Sequence, residues 1–263
     1  GSMRSIAITG SASGIGAATK AALEAEGARV IGVDLANADI EADLSQPEGR
    51  ARASSEIDSA CGGRLDGLVA CAGISGTRFT GSQIVSVNYF GAAELLAGLR
   101  PALAKGENAA AVAISSNSTT TMPNIPDDLV DACLTGDAAK ACAIADEQPF
   151  FAYGASKTAL ARWVRRNAVG DDWAGAGITL NAIAPGRTRT AMDDGMLKDE
   201  ILGPHVEAFP IPIGRPGRAE EIGDFVAFLL GPKGRFFCGA MLYIDGGTDA
   251  LMRADDWPVS LRM

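Results

Sequence analysis

Histidine is nearly absent: His205 is the only one among 263 residues. A serine–histidine–aspartate hydrolase would have to be built on that residue, and no G-x-S-x-G elbow accompanies it. Metal chemistry on histidine ligands is equally poorly supplied, so no metal site is expected. The five cysteines (Cys61, Cys71, Cys133, Cys142, Cys238) are scattered and lack C-x-x-C spacing. That pattern suits thiols used as small core residues in a reducing cytoplasm. No apolar run approaches the ~20 residues of a membrane span. No charged-then-apolar leader opens the chain either, so a cytoplasmic protein without a membrane partner is expected. The net charge is −9, and basic residues cluster only at Arg162, Arg165 and Arg166. Nucleic acid is therefore not expected as a partner.

What is present is alternation. Short apolar runs at 6–8, 30–33, 67–70, 111–114, 178–183 and 240–244 are separated by helical patterns at 14–26, 48–60, 83–104, from about 152, and at 219–230. Uninterrupted apolar strands alternating with helices predict a parallel sheet covered on both faces. The expectation is one α/β domain over residues 3–263, a Rossmann-type doubly wound parallel sheet with helices on both faces. Gly1-Ser2, before Met3, reads as a cloning remnant. In such a sheet ligands bind at the carboxyl ends of the strands.

The run Thr9-Gly10-Ser11-Ala12-Ser13-Gly14-Ile15-Gly16 follows the first strand and opens the first helix. Its glycines let the backbone turn tightly and approach a pyrophosphate, whose charge the free N–H groups and dipole of a helix N-terminus favour. Gly10, Ser13, Gly14, Ile15 and Gly16 are the candidate phosphate contacts. The spacing is G-x-x-x-G-x-G, which differs from the G-x-G-x-x-G fingerprint. Asp34, followed by Leu35, closes the second strand, where a carboxylate can accept both ribose hydroxyls and repel a 2′-phosphate. No Lys or Arg stands at Ser11, Ala12, Ser13, Leu35 or Ala36 to bind such a phosphate. NAD is thus favoured over NADP. Asp43-Leu44 and Ala72-Gly73 end later loops and are placed to flank the adenine and its ribose.

Tyr153 and Lys157 stand four residues apart, on one helix face. A free tyrosine titrates near ~10. An ammonium ~4 Å away at an effective dielectric of ~20 contributes about 4 kcal/mol, enough to lower the phenol by about three pH units. That is the range of a general acid/base.

Together with Asp43-Leu44, Cys71-Ala72-Gly73, Val87-Asn88, Ile114-Ser115-Ser116, Asn181, Pro185-Gly186 and Asp245-Gly246-Gly247, these motifs resemble the short-chain dehydrogenase/reductase family over nearly the whole chain. Ala70-Cys71 departs from the two asparagines often found there. The resemblance implies a catalytic set of Asn88, Ser116, Tyr153 and Lys157. Ser116 would hold the substrate oxygen, with Ser115 as its rival. Tyr153 would transfer the proton while hydride moves. Lys157 would lower the Tyr153 pKa and bind the nicotinamide ribose, and Asn88 would hold a water relaying protons to Lys157. Pro185, Gly186, Thr188 and Thr190 would contact the nicotinamide amide and pyrophosphate.

Two features narrow the choice within the family. An insert of 36 residues, 117–152, separates Ser116 from Tyr153, with helical patterns at 127–132 and 137–147. Long insertions are usually functional or surface decorations, and this one would lie beside the active site. Segment 190–212 carries Met192, Met196, Leu197, Ile201, Leu202, Phe209 and Ile211, broken by Gly203-Pro204 and Pro210-x-Pro212. It reads as a mobile lid over an apolar substrate, with Met192 and Met196 as candidate substrate contacts. Val87–Ala92, the long insert and Asp249–Arg253 are similar to the bacterial hydroxysteroid dehydrogenase/carbonyl reductase branch of the family. An NAD-dependent dehydrogenase of a 3α-hydroxysteroid or other bulky secondary alcohol is the leading expectation, assembled as a dimer or tetramer. A coniferyl-type aryl-allylic alcohol dehydrogenase is the alternative. A dinucleotide-binding scaffold without catalysis is the alternative of a different class.

Overall fold

In the computed structural model, which describes residues 3–263, β1 (Ser5–Thr9) runs through the glycine loop into α1 (Gly14–Ala25). Gly1 and Ser2, read above as a remnant, lie outside the described residues. Next come β2 (Arg29–Asp34), the short β3 (Ile40–Glu41), α2 (Pro47–Ala60) and β4 (Gly67–Ala70). Helix α3 (Gly81–Val85) passes through a π-helical turn at Ser86–Phe90 into α4 (Gly91–Ala104), and β5 (Ala110–Ile114) follows. Then come α5 (Ser118–Thr121), α6 (Asp127–Leu134), α7 (Ala138–Glu147), α8 (Pro149–Ala168) and β6 (Thr179–Pro185). The chain closes with β7 (Thr188–Arg189), α9 (Ala191–Lys198), α10 (Gly203–Ala208) and β8 (Gly217–Arg218), and then with α11 (Ala219–Leu230), β9 (Met241–Ile244) and α12 (Thr248–Met252).

Seven strands form one parallel sheet in the order β3-β2-β1-β4-β5-β6-β9, and β7 pairs with β8 apart from it. Period-two alternation divides the core between the faces. Ala7, Leu68, Ala111 and Leu180 join the cluster that includes Leu95, Leu99 and Leu160 of α4 and α8. Ile6, Ile8, Val69, Val112 and Ile183 join Leu23 of α1 and Val226 and Leu230 of α11 on the other face. Each fully buried Ile or Leu stabilises the fold by about 1.5–3 kcal/mol. The chain leaves β1 toward β2 on one side, and leaves β4 toward β5 on the other. The strand order therefore reverses at the carboxyl ends of β1 and β4, where a crevice opens.

The expected strands and long helices are all present. Their surprises are local: the strands β3, β7 and β8, the short α5, and the π-turn inside the helix predicted at 83–104. The insert forms both helices predicted for it, and it is no surface decoration. Leu129, Val130, Cys133, Ala141 and Ala145 are buried within the main core. Asp146 accepts the Ser82 backbone N–H at 2.8 Å, tying α7 to α3. Among the described residues no helix is long and apolar enough to cross a membrane, and all five cysteines are free.

Candidate active site

The crevice is a cavity of about 870 Å³. At one end the glycine loop is held down by Thr9, whose hydroxyl accepts the Cys71 and Ala72 backbone N–H groups at 3.0 and 3.1 Å. Gly10 has φ +70°, and a Cβ there would lie 2.9 Å from the Ala72 backbone. At Gly16 a Cβ would lie 1.9 Å from the Gly10 carbonyl oxygen. Only glycine lets loop and helix approach this closely. Ser13 precedes α1 in extended backbone and makes no side-chain cap, so the first N–H groups of the helix face the crevice without a side-chain acceptor. An anionic diphosphate fits that cradle.

Asp34 stands at the rim beyond the loop. One carboxylate oxygen accepts the Ala12 N–H at 3.0 Å and the other the Leu35 N–H at 2.7 Å. Both oxygens keep lone pairs for a diol. Leu35, Asp43 and Leu44 line the same end of the cavity, and Ala72 and Gly73 line its floor. Asp43 accepts from both the N–H and the hydroxyl of Ser45, which shapes the loop after β3. These residues fit the adenosine half of a nicotinamide dinucleotide.

At the other end α8 brings Tyr153 and Lys157 to the wall near the end of β5. The buried Lys157 ammonium donates to the Ile114 carbonyl at 2.8 Å, and Ser115 Oγ donates to the Lys157 carbonyl at 2.8 Å. Ser115 is thereby committed to holding the helix. Ser116 is bound differently: its hydroxyl accepts the Ser118 N–H at 3.0 Å and retains its own proton for another partner. Pro185, Gly186, Thr188 and Thr190 line the adjoining wall. There Thr188 donates to the Gly186 carbonyl at 3.0 Å, and Thr190 caps α9 by accepting the Asp193 N–H.

Lys157 stands one helical turn from Tyr153 on α8. Its Nζ lies 5.8 Å from the Tyr153 ring centroid and is directed to a backbone carbonyl. Burial raises the phenol, with the Ser116 side chain working against it. Burial also pulls Lys157 down from 10.5 to about 8. Asn88 is fully buried on the π-turn, and its amide bonds Ile74 twice: Oδ1 accepts the Ile74 N–H at 2.8 Å and Nδ2 donates to the Ile74 carbonyl at 2.9 Å. A Cβ on Gly73 would lie 3.4 Å from Asn88 Oδ1 and 3.5 Å from Lys157 Nζ. Asn88 thus shapes the loop beside Lys157 without walling the cavity.

Met192 and Met196 on α9 line the outer cavity, as expected, joined by Leu202, Val206, Phe209 and Ile211. Sequence reasoning missed Met122, Phe150 and Phe151 from the insert and the start of α8, Met252 of α12, and His205 on α10. Phe150 could have been found, because it precedes Tyr153 by three residues on one helix face. Nothing in the local sequence marks Met252, which the fold alone carries to the cleft.

A Rossmann-type sheet, a phosphate cradle at its switch point and a Ser116–Tyr153–Lys157 cluster beside it define a dinucleotide-dependent oxidoreductase. The family model described as short chain dehydrogenase matches residues 4–125, and the one described as Enoyl-(Acyl carrier protein) reductase matches 134–249. The chain is 42% identical to a 3-alpha-hydroxysteroid dehydrogenase/carbonyl reductase of Comamonas testosteroni, over 95% of this chain and 98% of the relative. A coniferyl-alcohol dehydrogenase of Pseudomonas sp. (strain HR199 / DSM 7063) is 29% identical over 93% of this chain and 96% of its own. Among solved structures, the 3-alpha-hydroxysteroid dehydrogenase of Pseudomonas sp. B-0831 complexed with NADH superposes with a TM-score of 0.92. Its identity is 46%, covering 95% of this chain and 99% of that one. The protein belongs to the short-chain dehydrogenase/reductase family.

Proposed function

We propose that the protein is an NAD-dependent secondary-alcohol dehydrogenase that oxidises the 3α-hydroxyl of a steroid-like substrate and, in reverse, reduces the ketone. The observation that carries this reading is the meeting of Ser116, Tyr153 and Lys157 at the foot of an apolar cleft walled by Phe150, Phe151, Met192 and Met196. NAD, when bound, accepts or returns the hydride. Ser116 Oγ holds the substrate oxygen and favours charge on it. Tyr153 takes up or delivers the hydroxyl proton. Lys157, anchored by the Ile114 carbonyl, presents its ammonium to the ribose hydroxyls and steadies the tyrosine side of the cleft. Asn88 acts as a positioning residue by fixing Ile74 and the loop beside Lys157. Asp34 selects the unphosphorylated ribose, because a 2′-phosphate there meets a carboxylate and no neighbouring cation.

The coniferyl-type alternative is supported by the aromatic pair Phe150–Phe151 at the cleft and by the relative that acts on that alcohol. NAD-linked turnover of a panel of 3α-hydroxysteroids beside coniferyl alcohol separates the two. Turnover of the steroids is the expected result, and silence on every steroid overturns the reading. The free cysteines suit a cytoplasmic enzyme, and assembly as a homodimer or homotetramer completes the proposal.

A further inference from the structure

Segment 190–212 returns to the body of the protein at both ends. At its start Arg187 pairs with Asp193 at 3.0 Å. At its end the Thr248 hydroxyl donates to the Pro210 carbonyl at 2.7 Å. Between Asp194 and Phe209 only one residue bonds it to anything outside the segment, among the described residues. Asp199 Oδ2 accepts the Thr77 N–H at 3.0 Å and the Thr77 hydroxyl at 2.6 Å. Thr77 belongs to the loop after β4, on the opposite lip of the cleft, 122 residues away in sequence. The other oxygen, Oδ1, accepts the Ile201 and Leu202 N–H groups at 3.0 and 2.9 Å, ahead of α10. Gly76 completes the seat: a Cβ there would lie 3.8 Å from both Asp199 Oδ2 and Met196 Sδ. One carboxylate thus joins the two lid helices to each other and the lid to the far lip.

We propose that Asp199 is a latch, a positioning residue that holds the lid across the cleft through Thr77 and sets the rate at which the lid opens to release nucleotide and product. The proposal rests on reading the cleft as the nucleotide and substrate site. The Thr77 hydrogen bonds also hold the Asp199 carboxyl below the usual carboxylate range, so the latch stays charged at neutral pH. Among the described residues no second polar tie joins the lid to the body between Asp194 and Phe209, and Met196, Leu202 and Val206 face the cavity.

Two variants separate a latch from simple support of the lid helices. Thr77→Ala removes the hydroxyl bond and leaves the Asp199 bonds to Ile201 and Leu202 intact, whereas Asp199→Ala removes all four. Amide hydrogen exchange over residues 191–208 of the full chain without cofactor, and stopped-flow release of NADH, are the readouts. Asp199→Ala should accelerate both by roughly tenfold, and Thr77→Ala by roughly threefold, for hydrogen bonds to a charged group that water partly replaces. Unchanged exchange and release in both variants overturn the latch. Acceleration in Asp199→Ala alone overturns it too, because helix capping then accounts for the effect. Neither readout uses an alcohol substrate, so a failed steroid panel leaves this test standing.

Discussion

Replacing Lys157 by methionine removes a buried ammonium and keeps a side chain of similar length. The lysine is 4% exposed, and burial lowers its pKa from 10.5 to about 8, opposed slightly by Cys71. Below about pH 8 the amine carries a proton in both the folded and the unfolded chain, and the fold bears the full cost of burying that charge. As pH rises from about 8 to 10.5 the folded state gives up its proton first, so the unfolded state binds more protons and stability increases with pH. Above 10.5 both states are neutral and the cost is gone. A gap of about 2.5 pH units at ~1.36 kcal/mol each makes the change about 3 kcal/mol.

The assay is urea unfolding of the cofactor-free wild type and Lys157→Met, followed by circular dichroism at intervals across that window. Cysteines and tyrosines other than Cys71, which is coupled to Lys157, titrate alike in both proteins and cancel in the difference. The variant also leaves the Ile114 carbonyl without its donor, at a cost of about 1–3 kcal/mol that does not vary with pH. The informative quantity is therefore the slope: the wild type should gain about 3 kcal/mol on the variant between the two ends. Parallel curves would show that the lysine keeps its ordinary pKa in the fold, and the account of a buried, partly neutral amine would fail.

Tyr153→Phe should lower NAD-linked turnover by about 10²–10⁴-fold, the usual share of general acid–base catalysis, while NADH titration shows nearly unchanged binding; retained turnover would remove the proton-transfer role. Asp34→Ala should weaken NADH by about tenfold to a hundredfold through loss of charge-assisted bonds to the ribose, and should narrow the preference over NADPH. Wild type that binds NADPH as tightly as NADH would refute the role of Asp34. Asn88→Ala strands the N–H and carbonyl of Ile74 and should cost about 2–4 kcal/mol in urea unfolding, lowering turnover through the loop beside Lys157. If stability holds, those groups have found other partners.

Strands and helices were legible because the core strands are mostly apolar on both faces, as in Ala110–Ile114, and in Thr179–Pro185 apart from Thr179 and Asn181, with every residue of both buried. The nucleotide end was equally legible. Gly10 and Gly16 permit a close backbone approach, Asp34 supplies one carboxylate, and all three sit between the end of β1 and the end of β2. The π-turn was not legible, since Ser86–Phe90 follows the helical pattern on both sides and the extra residue per turn leaves no mark in periodicity. The outer cleft was half legible. Met192 and Met196 lie on a segment whose apolar pattern marks it as cavity lining, whereas Met122 and Met252 come from distant segments that only the fold brings together. The Thr77–Asp199 pairing joins segments 122 residues apart, and although Gly76-Thr77 is a pair shared with the coniferyl-type subgroup, nothing local marks Asp199 as its partner.

The tyrosine–lysine spacing was the clearest local signal in the chain, and its physical reading changes most in the structure. A charge placed ~4 Å from the phenol oxygen would have lowered its pKa by the Coulomb term alone. Helical spacing does put both side chains on one face, but it leaves their ends free to choose partners, and Lys157 chooses the Ile114 carbonyl. Burial then acts on both groups toward neutrality, raising the acid that would become an anion and lowering the cation. Burial thus favours a neutral phenol and brings the amine toward physiological pH. The Ser116 side chain is the group that works against burial at the phenol, so the proton transfer proposed for Tyr153 depends on Ser116 as well as on helical spacing. The helix supplies proximity, and the polar groups around the phenol supply the electrostatics.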